Sequence, residues 1–216
     1  MPSQFAPLVT VSATYGAGGS VIAPRLAGAL DLPFVDRLIS ADLSQNVAVR
    51  ERSEEGLSEG EEATTPAGRF LSYFARAASV GVILAPDAGL EDDDSIRKRT
   101  EDGVRELDEG AGAVLLGRAG SVLLAARPRA YHVRLDGPAD RRIAWAASFE
   151  GLDLETVRRR QSETDRARTL FVKRLFRVDP SDPKLYHVML DPTVLGVDAA
   201  VNVLAVAARA FFATHP

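Results

Sequence analysis

Short apolar runs alternate with longer stretches of helical spacing along most of the chain. The apolar runs lie at 8–11, 113–116, 131–135 and 186–190, and their length and β-branched content predict buried strands. Between them, apolar residues recur three and four positions apart, which predicts helices with one buried face. This alternation is typical of βαβ units around a sheet covered on both sides. The sequence therefore predicts an α/β fold with a parallel central sheet.

A glycine-rich turn follows the first predicted strand. Residues 15–20 read YGAGGS and lead directly into a helical pattern. Strand, turn and helix together place free N–H groups and the positive end of a helix dipole around a phosphate. Against the pattern G-x-x-x-x-G-K-[ST], Ala13 takes the first Gly slot, Gly18 the second, Gly19 the Lys slot and Ser20 the hydroxyl slot. The residues alone leave open a phosphate-binding loop without its Lys or a turn without a ligand.

Polar residues follow two of the other predicted strands. Asp36 and Arg37 end a short apolar run that starts at Leu32, and Arg118 stands between glycines after the run at 113–116. Ligands of open α/β sheets lie outside the carboxyl ends of the strands, so all three are candidate ligand contacts. For Asp36 and Arg37 a surface ion pair or a helix cap is the alternative. Arginine suits a phosphate because it can donate two parallel hydrogen bonds.

Composition narrows the class of protein. The chain has 216 residues, a net charge of −4 and no Cys, which suffices for one α/β domain and excludes disulfides and thiolate metal sites. A pI near 5.5 argues against general nucleic-acid binding. No uninterrupted apolar run reaches the length of a membrane span, and the first residues lack a signal-peptide layout. We therefore expect a cytoplasmic protein without nucleic-acid or membrane partners.

Charge is unevenly distributed. Residues 51–66 and 87–94 are acidic, whereas residues 127–177 hold 13 Lys and Arg against 7 Asp and Glu. The basic segment is either a set of solvated helix faces or a lid that meets phosphates.

Four side chains receive structural interpretations from the pattern alone. Trp145 is expected in the core, and His132 is expected to be a packed or edge histidine. Asp153 can cap the helix that follows it. Asp165 lies one turn before Arg168, so a local ion pair is available to them.

Three stretches in order, YGAGGSVIAPRLA, LLGRAGSVLL and ETDRARTLF, resemble the cytidylate-kinase-like branch of the P-loop nucleoside monophosphate kinases. With FVDR and the tail LYHVMLDPTVLGVDAAV, the resemblance spans nearly the whole chain. It implies a three-layer α/β/α P-loop kinase fold with an acceptor-binding helical insert and an Arg-rich lid. The single domain 1–216 would then comprise a core of 7–37, 97–150 and 184–216, the insert 38–96 and the lid 151–183.

The resemblance also implies an activity, namely transfer of the ATP γ-phosphoryl group to a pyrimidine monophosphate, CMP or dCMP, with Mg²⁺. Carried over by position, the donor phosphates would be bound by Tyr15, Gly16, Ala17, Gly18, Gly19 and Ser20. The Ser20 hydroxyl would face Mg²⁺, and Asp36 and Arg37 would meet the acceptor nucleotide. Arg118 would contact the acceptor phosphate. Arg166 and Arg168 would close over the transferring group.

One departure from the family pattern keeps three hypotheses open. Gly19 stands where cytidylate kinases proper carry the loop Lys, so Arg25 or a lid arginine would have to supply that charge. The first hypothesis is an active nucleoside monophosphate kinase. The second is a catalytically impaired nucleotide-binding or regulatory protein, and the third is a kinase for another small phosphoacceptor. A nucleotide substrate is the expected partner, and a homodimer is left open.

Overall fold

The computed structural model describes residues 5–36, 112–117 and 119–215. The predicted acceptor-binding insert at 38–96, with both acidic stretches, lies outside these ranges, as do Arg37 and Arg118.

Five parallel strands form the sheet within the described residues, in the order β2-β3-β1-β4-β5. Their bounds are β1 Leu8–Ala13, β2 Phe34–Asp36, β3 Ala113–Leu116, β4 Ala130–Leu135 and β5 Val188–Leu190. The central strand β1 pairs with β3 on one side and β4 on the other. The prediction of a parallel sheet with alternating helices is confirmed.

The first four helices follow the carboxyl ends of β1, β3 and β4, and the last two follow β5. They are α1 Gly19–Leu30, α2 Gly120–Leu123, α3 Ala139–Glu150, α4 Leu154–Phe176, α5 Pro192–Leu195 and α6 Val197–Thr214, with a 3₁₀ turn at Pro183–Leu185. Asp153 caps α4 as predicted, because its carboxylate accepts the Thr156 N–H at 2.8 Å.

Two apolar layers cover the sheet. On one face, α1 and α6 pack over the central strands. The strands contribute Val9, Val11, Val114, Val133 and Leu135, and the two helices contribute Ile22, Leu26, Ala200, Leu204 and Ala208. On the other face, a smaller cluster joins β1, β3, β4 and the end of α2: Leu8, Ala113, Leu115, Leu124 and Ala130. Successive strand residues point to opposite faces, which is why both layers draw on the same strands.

Strand β5 begins two residues later than the apolar pattern predicts. The His187 N–H donates to the His132 carbonyl at 2.8 Å, but the His132 N–H donates to the His187 ring nitrogen Nδ1 at 2.9 Å. A side-chain acceptor thus replaces a backbone carbonyl at this edge, and the regular ladder starts only at Val188.

By length and composition alone, α6 is apolar enough to cross a membrane, although Asp198, Asn202 and Arg209 interrupt its apolar residues. In the fold its inner face belongs to the larger apolar layer against α1, with Ala200, Leu204 and Ala208 fully buried.

Removal of side-chain volume from this inner face should be costly. We expect Leu204→Ala to lower the free energy of unfolding by about 2–5 kcal/mol, because Leu204 is fully buried and its loss leaves a cavity. Val206→Ala on the exposed face of α6 is the matched control, with an expected change within about 0.5 kcal/mol. Urea unfolding of both variants measures the difference, and equal losses would contradict the packing of α6 described here.

The three histidines of the chain belong to one group of ring contacts at the β4–β5 edge. His132 stacks on His187, and Phe211 lies between His187 and His215. The ring of His132 lies 5.0 Å from that of His187, and its Nδ1 shares a 2.8 Å hydrogen bond with the Thr10 hydroxyl. Burial, together with the nearby His187, lowers the pKa of His132 to about 4. The expectation of a packed histidine is confirmed.

Stability should therefore depend on pH through His132. The unfolded chain takes up a proton below the ordinary pKa of 6.5, whereas the folded protein resists protonation down to about 4. The stabilising contribution is complete above that ordinary pKa and is lost as the pH falls toward the folded value. We expect unfolding free energy to drop by about 2 kcal/mol between about pH 7 and pH 5. Urea unfolding of His132→Gln should show a shallower pH dependence, and an unchanged slope would contradict this origin.

Candidate functional site

The glycine loop, residues 14–18, joins the carboxyl end of β1 to the first turn of α1. Gly16 and Gly18 adopt positive φ angles of 75° and 71°. Gly18 is the N-cap of α1 and offers no side-chain acceptor, and the first turn carries no acidic residue. The first N–H groups of a helix have no acceptor within it, so the start of α1 favours an anion.

Close packing explains why this loop needs glycines. A Cβ on Gly16 would collide with the backbone carbonyl oxygen of Arg142, and one on Gly18 would lie 2.9 Å from the Trp145 ring. Trp145, expected in the core, is only half-buried and packs edge-on against Phe149, whose side chain is exposed. Helix α3 therefore forms one wall of the loop.

The slot for the missing Lys is sterically closed. A Cβ on Gly19 would lie 2.6 Å from the Cβ of Ala13 and 3.3 Å from Leu116 Cδ1. Ala13 occupies the slot where the pattern has Gly, and Gly19 the slot where it has Lys. Compared with the full pattern, this chain carries a Cβ at position 13 and none at position 19. A Lys at position 19 therefore does not fit beside Ala13.

Tyr15 anchors the loop to the helices that follow β4. Its side chain is buried with Ile143, Ala146 and Val157, and its hydroxyl donates to both carboxylate oxygens of Glu150 at 2.8 Å. Burial, with the hydrogen bond to Glu150 and its negative charge, raises the pKa of Tyr15 far above its ordinary value. The phenol is therefore a neutral hydrogen-bond donor.

The backbone of Tyr15 is held from both sides by a buried ion pair. The Tyr15 N–H donates to Asp165 Oδ1 at 2.7 Å, and the Tyr15 carbonyl accepts from Arg142 Nη1 at 2.5 Å. The same Arg142 nitrogen donates to Asp165 Oδ2 at 2.9 Å. Asp165 thus binds the loop and Arg142 of α3, whereas the sequence indicated only a local partner in Arg168.

A small cleft of about 40 Å³ opens between the carboxyl ends of β1 and β4 and the helix α4. Asp165, Arg168, Thr169 and Val172 line it from α4 at helical spacing. Arg168 Nη1 donates to the Ala13 carbonyl at 2.8 Å, which brings a guanidinium to the first slot of the loop pattern. Arg166 is exposed and lies outside the described lining of the cleft.

The β4 end of the cleft holds a second ion pair. The buried Arg134 donates through Nε and Nη2 to Asp136 Oδ2 at 3.1 and 2.9 Å. The other oxygen of Asp136 accepts from the Thr14 hydroxyl at 2.9 Å and the Gly137 N–H at 2.8 Å. Sequence reasoning missed this group, although LDGPADRR shows the same signal of polar residues at a strand end.

Three other candidate residues, Ser20, Asp36 and Arg25, lie outside the lining of the cleft. Ser20 is exposed in the first turn of α1 and Asp36 is exposed at the end of β2. Arg25 pairs with Asp198 of α6 at 2.5 Å, so its charge is directed to the α1–α6 surface and not to the glycine loop.

The residues at the start of α1 fit a magnesium ion that arrives with phosphates. Within the described ranges no three acidic or histidine side chains cluster as a ready-made metal site. Mg²⁺ in nucleotide sites takes one or two protein oxygens and completes its shell with phosphate and water. The exposed Ser20 hydroxyl at the start of α1 is an oxygen of that kind.

Comparison with known proteins decides the family. The model of the cytidylate kinase-like family matches residues 8–193. The chain belongs to this family. The cytidylate kinase of Methanopyrus kandleri is 27% identical over 199 residues, which cover 91% of this chain and 90% of that protein. Membership supports a kinase of a nucleotide or other small molecule.

A solved structure shares the fold. An uncharacterized protein from Eubacterium ventriosum aligns with a TM-score of 0.62 at 17% identity, over 94% of this chain and 98% of its own. The similarity is one of fold. The parallel sheet with its covering helices and membership of the cytidylate kinase-like family together confirm the α/β P-loop kinase fold.

The Ala13–Gly19 packing can be tested by exchanging the two residues. We expect Gly19→Ala to cost about 1–3 kcal/mol of unfolding free energy, because the added methyl meets the Ala13 Cβ. The double variant Ala13→Gly/Gly19→Ala should recover most of this loss. In urea unfolding, Gly28→Ala serves as control because open space surrounds that position of α1. Additive effects of the two substitutions would contradict the steric account.

Proposed function

We propose that this protein transfers the γ-phosphoryl group of ATP to a nucleoside monophosphate, with CMP or dCMP as the preferred acceptor. The observation that carries the proposal is Arg168, which α4 holds over Ala13 beside the open N–H groups at the start of α1. The name of the Methanopyrus relative supports the choice of CMP. In this proposal residues 38–96 bind the acceptor and residues 151–183 form the lid.

Phosphoryl transfer depends more on positioning and on positive charge around the phosphates than on covalent catalysis. An oxygen of the acceptor phosphate bonds to the γ-phosphorus as the bond to the bridging oxygen of ADP breaks, and negative charge spreads over the transferring group. The Tyr15 and Ala17 N–H groups already donate to Asp165 and to the Thr14 carbonyl. The donor phosphates would therefore be bound by the N–H groups of Gly16, Gly18, Gly19 and Ser20, and Arg168 would balance the transferring charge from the lid side. A magnesium ion held by Ser20 would supply further positive charge when bound.

The proposal also accounts for the missing Lys. Gly19 leaves no cation within the loop, and Arg25 is engaged by Asp198. Arg168 belongs to a different helix, so its charge would reach the phosphates only when α4 covers the loop. Coverage would also exclude water, which otherwise competes as acceptor. Arg118 and Arg37, proposed for the acceptor phosphate and nucleotide, complete the assignment.

One observation favours a second candidate, a nucleotide-binding protein without transferase activity. Position 19, which carries the Lys in the full pattern, is sterically closed here.

A coupled assay with MgATP against CMP, dCMP, UMP and AMP distinguishes the candidates. We expect transfer to CMP or dCMP, and a loss of about 100–1000-fold in kcat for Arg168→Ala, as for removal of one charge-stabilising group. Arg159→Ala, on the exposed side of α4, is the matched control and should stay within about twofold. Arg166→Ala should lose less than Arg168→Ala, because Arg166 is exposed.

Binding can be followed separately, because Trp145 is the only tryptophan of the chain and borders Gly18. A change of its fluorescence with MgATP but no transfer to any acceptor would favour the binding protein. Transfer to a small molecule that is not a nucleotide would keep the kinase and replace the acceptor. If the protein shows neither MgATP binding nor transfer, both candidates are refuted.

A further inference from the structure

We propose that Arg142 and Asp165 form a clamp on the Tyr15 peptide that couples the position of α4 to the conformation of the glycine loop. Neither residue was predicted to serve the loop. We assign both as positioning residues, since they act through Tyr15 and not through a contact with the reacting groups.

The geometry of the clamp is complementary in charge. The carboxylate of Asp165 accepts the Tyr15 N–H, and the guanidinium of Arg142 donates to the Tyr15 carbonyl. One loop residue is thus bound through both polar groups of its backbone, once from α4 and once from α3. Either contact alone would fix one end of the residue, whereas the pair fixes its orientation.

The clamp is largely buried, and both of its residues make further hydrogen bonds. Arg142 is 7% exposed and Asp165 18% exposed at the side chain. Arg142 Nε donates to the Gly137 carbonyl at 2.8 Å, and Gln161 Nε2 donates to Asp165 Oδ2 at 2.8 Å. Buried ion pairs are rigid when their hydrogen bonds are satisfied, and breaking one leaves a charge without compensation.

The clamp lies next to Arg168 along the same helix. Asp165 and Arg168 are one turn apart on α4 and bind neighbouring backbone groups, the Tyr15 N–H and the Ala13 carbonyl. Withdrawal of α4 would therefore release the loop and remove the cation in one movement. In the proposed function, lid closure and organisation of the phosphate site become a single event.

Hydrogen exchange in the ligand-free protein tests the coupling without any assumption about activity. In Arg142→Lys the single ammonium cannot reproduce the planar fork, and in Asp165→Asn one acceptor oxygen replaces two. We expect the Tyr15 amide to exchange at least about tenfold faster in either variant, together with the amides of α4 around residue 165. The double variant should be no faster than the faster single one, because both residues act through the same peptide.

The matched control is Arg158→Lys. Arg158 of α4 pairs with Asp140 of α3 at 3.6 Å, so it joins the same two helices through an exposed ion pair at another position. Its Tyr15 amide exchange should stay within about twofold of the wild type. Unchanged exchange in the clamp variants would overturn the proposal. Equal acceleration in the control would also overturn it, since general packing of α3 on α4 would then suffice.

The kinetic consequence rests on the proposed function. Both clamp variants should lose kcat by about tenfold or more and bind MgATP more weakly by Trp145 fluorescence, whereas Arg158→Lys keeps both values. A wild-type protein without transfer would refute the proposed function, and the exchange measurement would still decide the clamp. Full activity in both variants would overturn the coupling.

Discussion

The hydrogen bonds that hold the Tyr15 peptide between Asp165 and Arg142 are the contact on which the candidate site depends. They join three separate elements, the glycine loop, α3 and α4, at one backbone residue. Because Tyr15 is also fixed through its hydroxyl and its buried ring, the loop cannot rearrange without disturbing both helices. The orientation of the free N–H groups at the start of α1 is a consequence of this anchoring.

Steric constraints also act on this loop and on the first residue of α1. Gly16, Gly18 and Gly19 each lie against a neighbour that a Cβ would strike, namely Arg142, Trp145 and Ala13. The loop is thus compressed between β1, β3 and α3, and its small residues follow from that compression. This arrangement leaves no place for a cation at position 19, whereas Arg168 of α4 lines the cleft and donates to the Ala13 carbonyl just before the loop.

Charge at the carboxyl end of β4 is arranged as alternating pairs. Arg134 binds Asp136. Arg142 Nε lies 3.6 Å from Asp136 Oδ1, and Arg142 also binds Asp165. Each buried charge therefore has an opposite charge and additional hydrogen bonds, which offsets the cost of removing it from water. The network is rigid for the same reason, and it connects Thr14 at the end of β1 to the middle of α4.

Much of the fold was determined by the sequence alone, because local pattern specifies local structure. The periods of apolar residues predicted the strands and the parallel sheet, the Asp before a helical segment predicted the cap at Asp153, and YGAGGS predicted a turn between β1 and α1. The partners of charged residues were decided only by the tertiary structure. Asp165 had an available neighbour one turn away, yet it binds a residue 150 positions earlier in the chain, and Arg25 pairs with α6 and not with the loop. Sequence spacing reveals which partners are near along a helix, but the folded chain brings others closer, and burial then selects the pairs whose hydrogen bonds are complete.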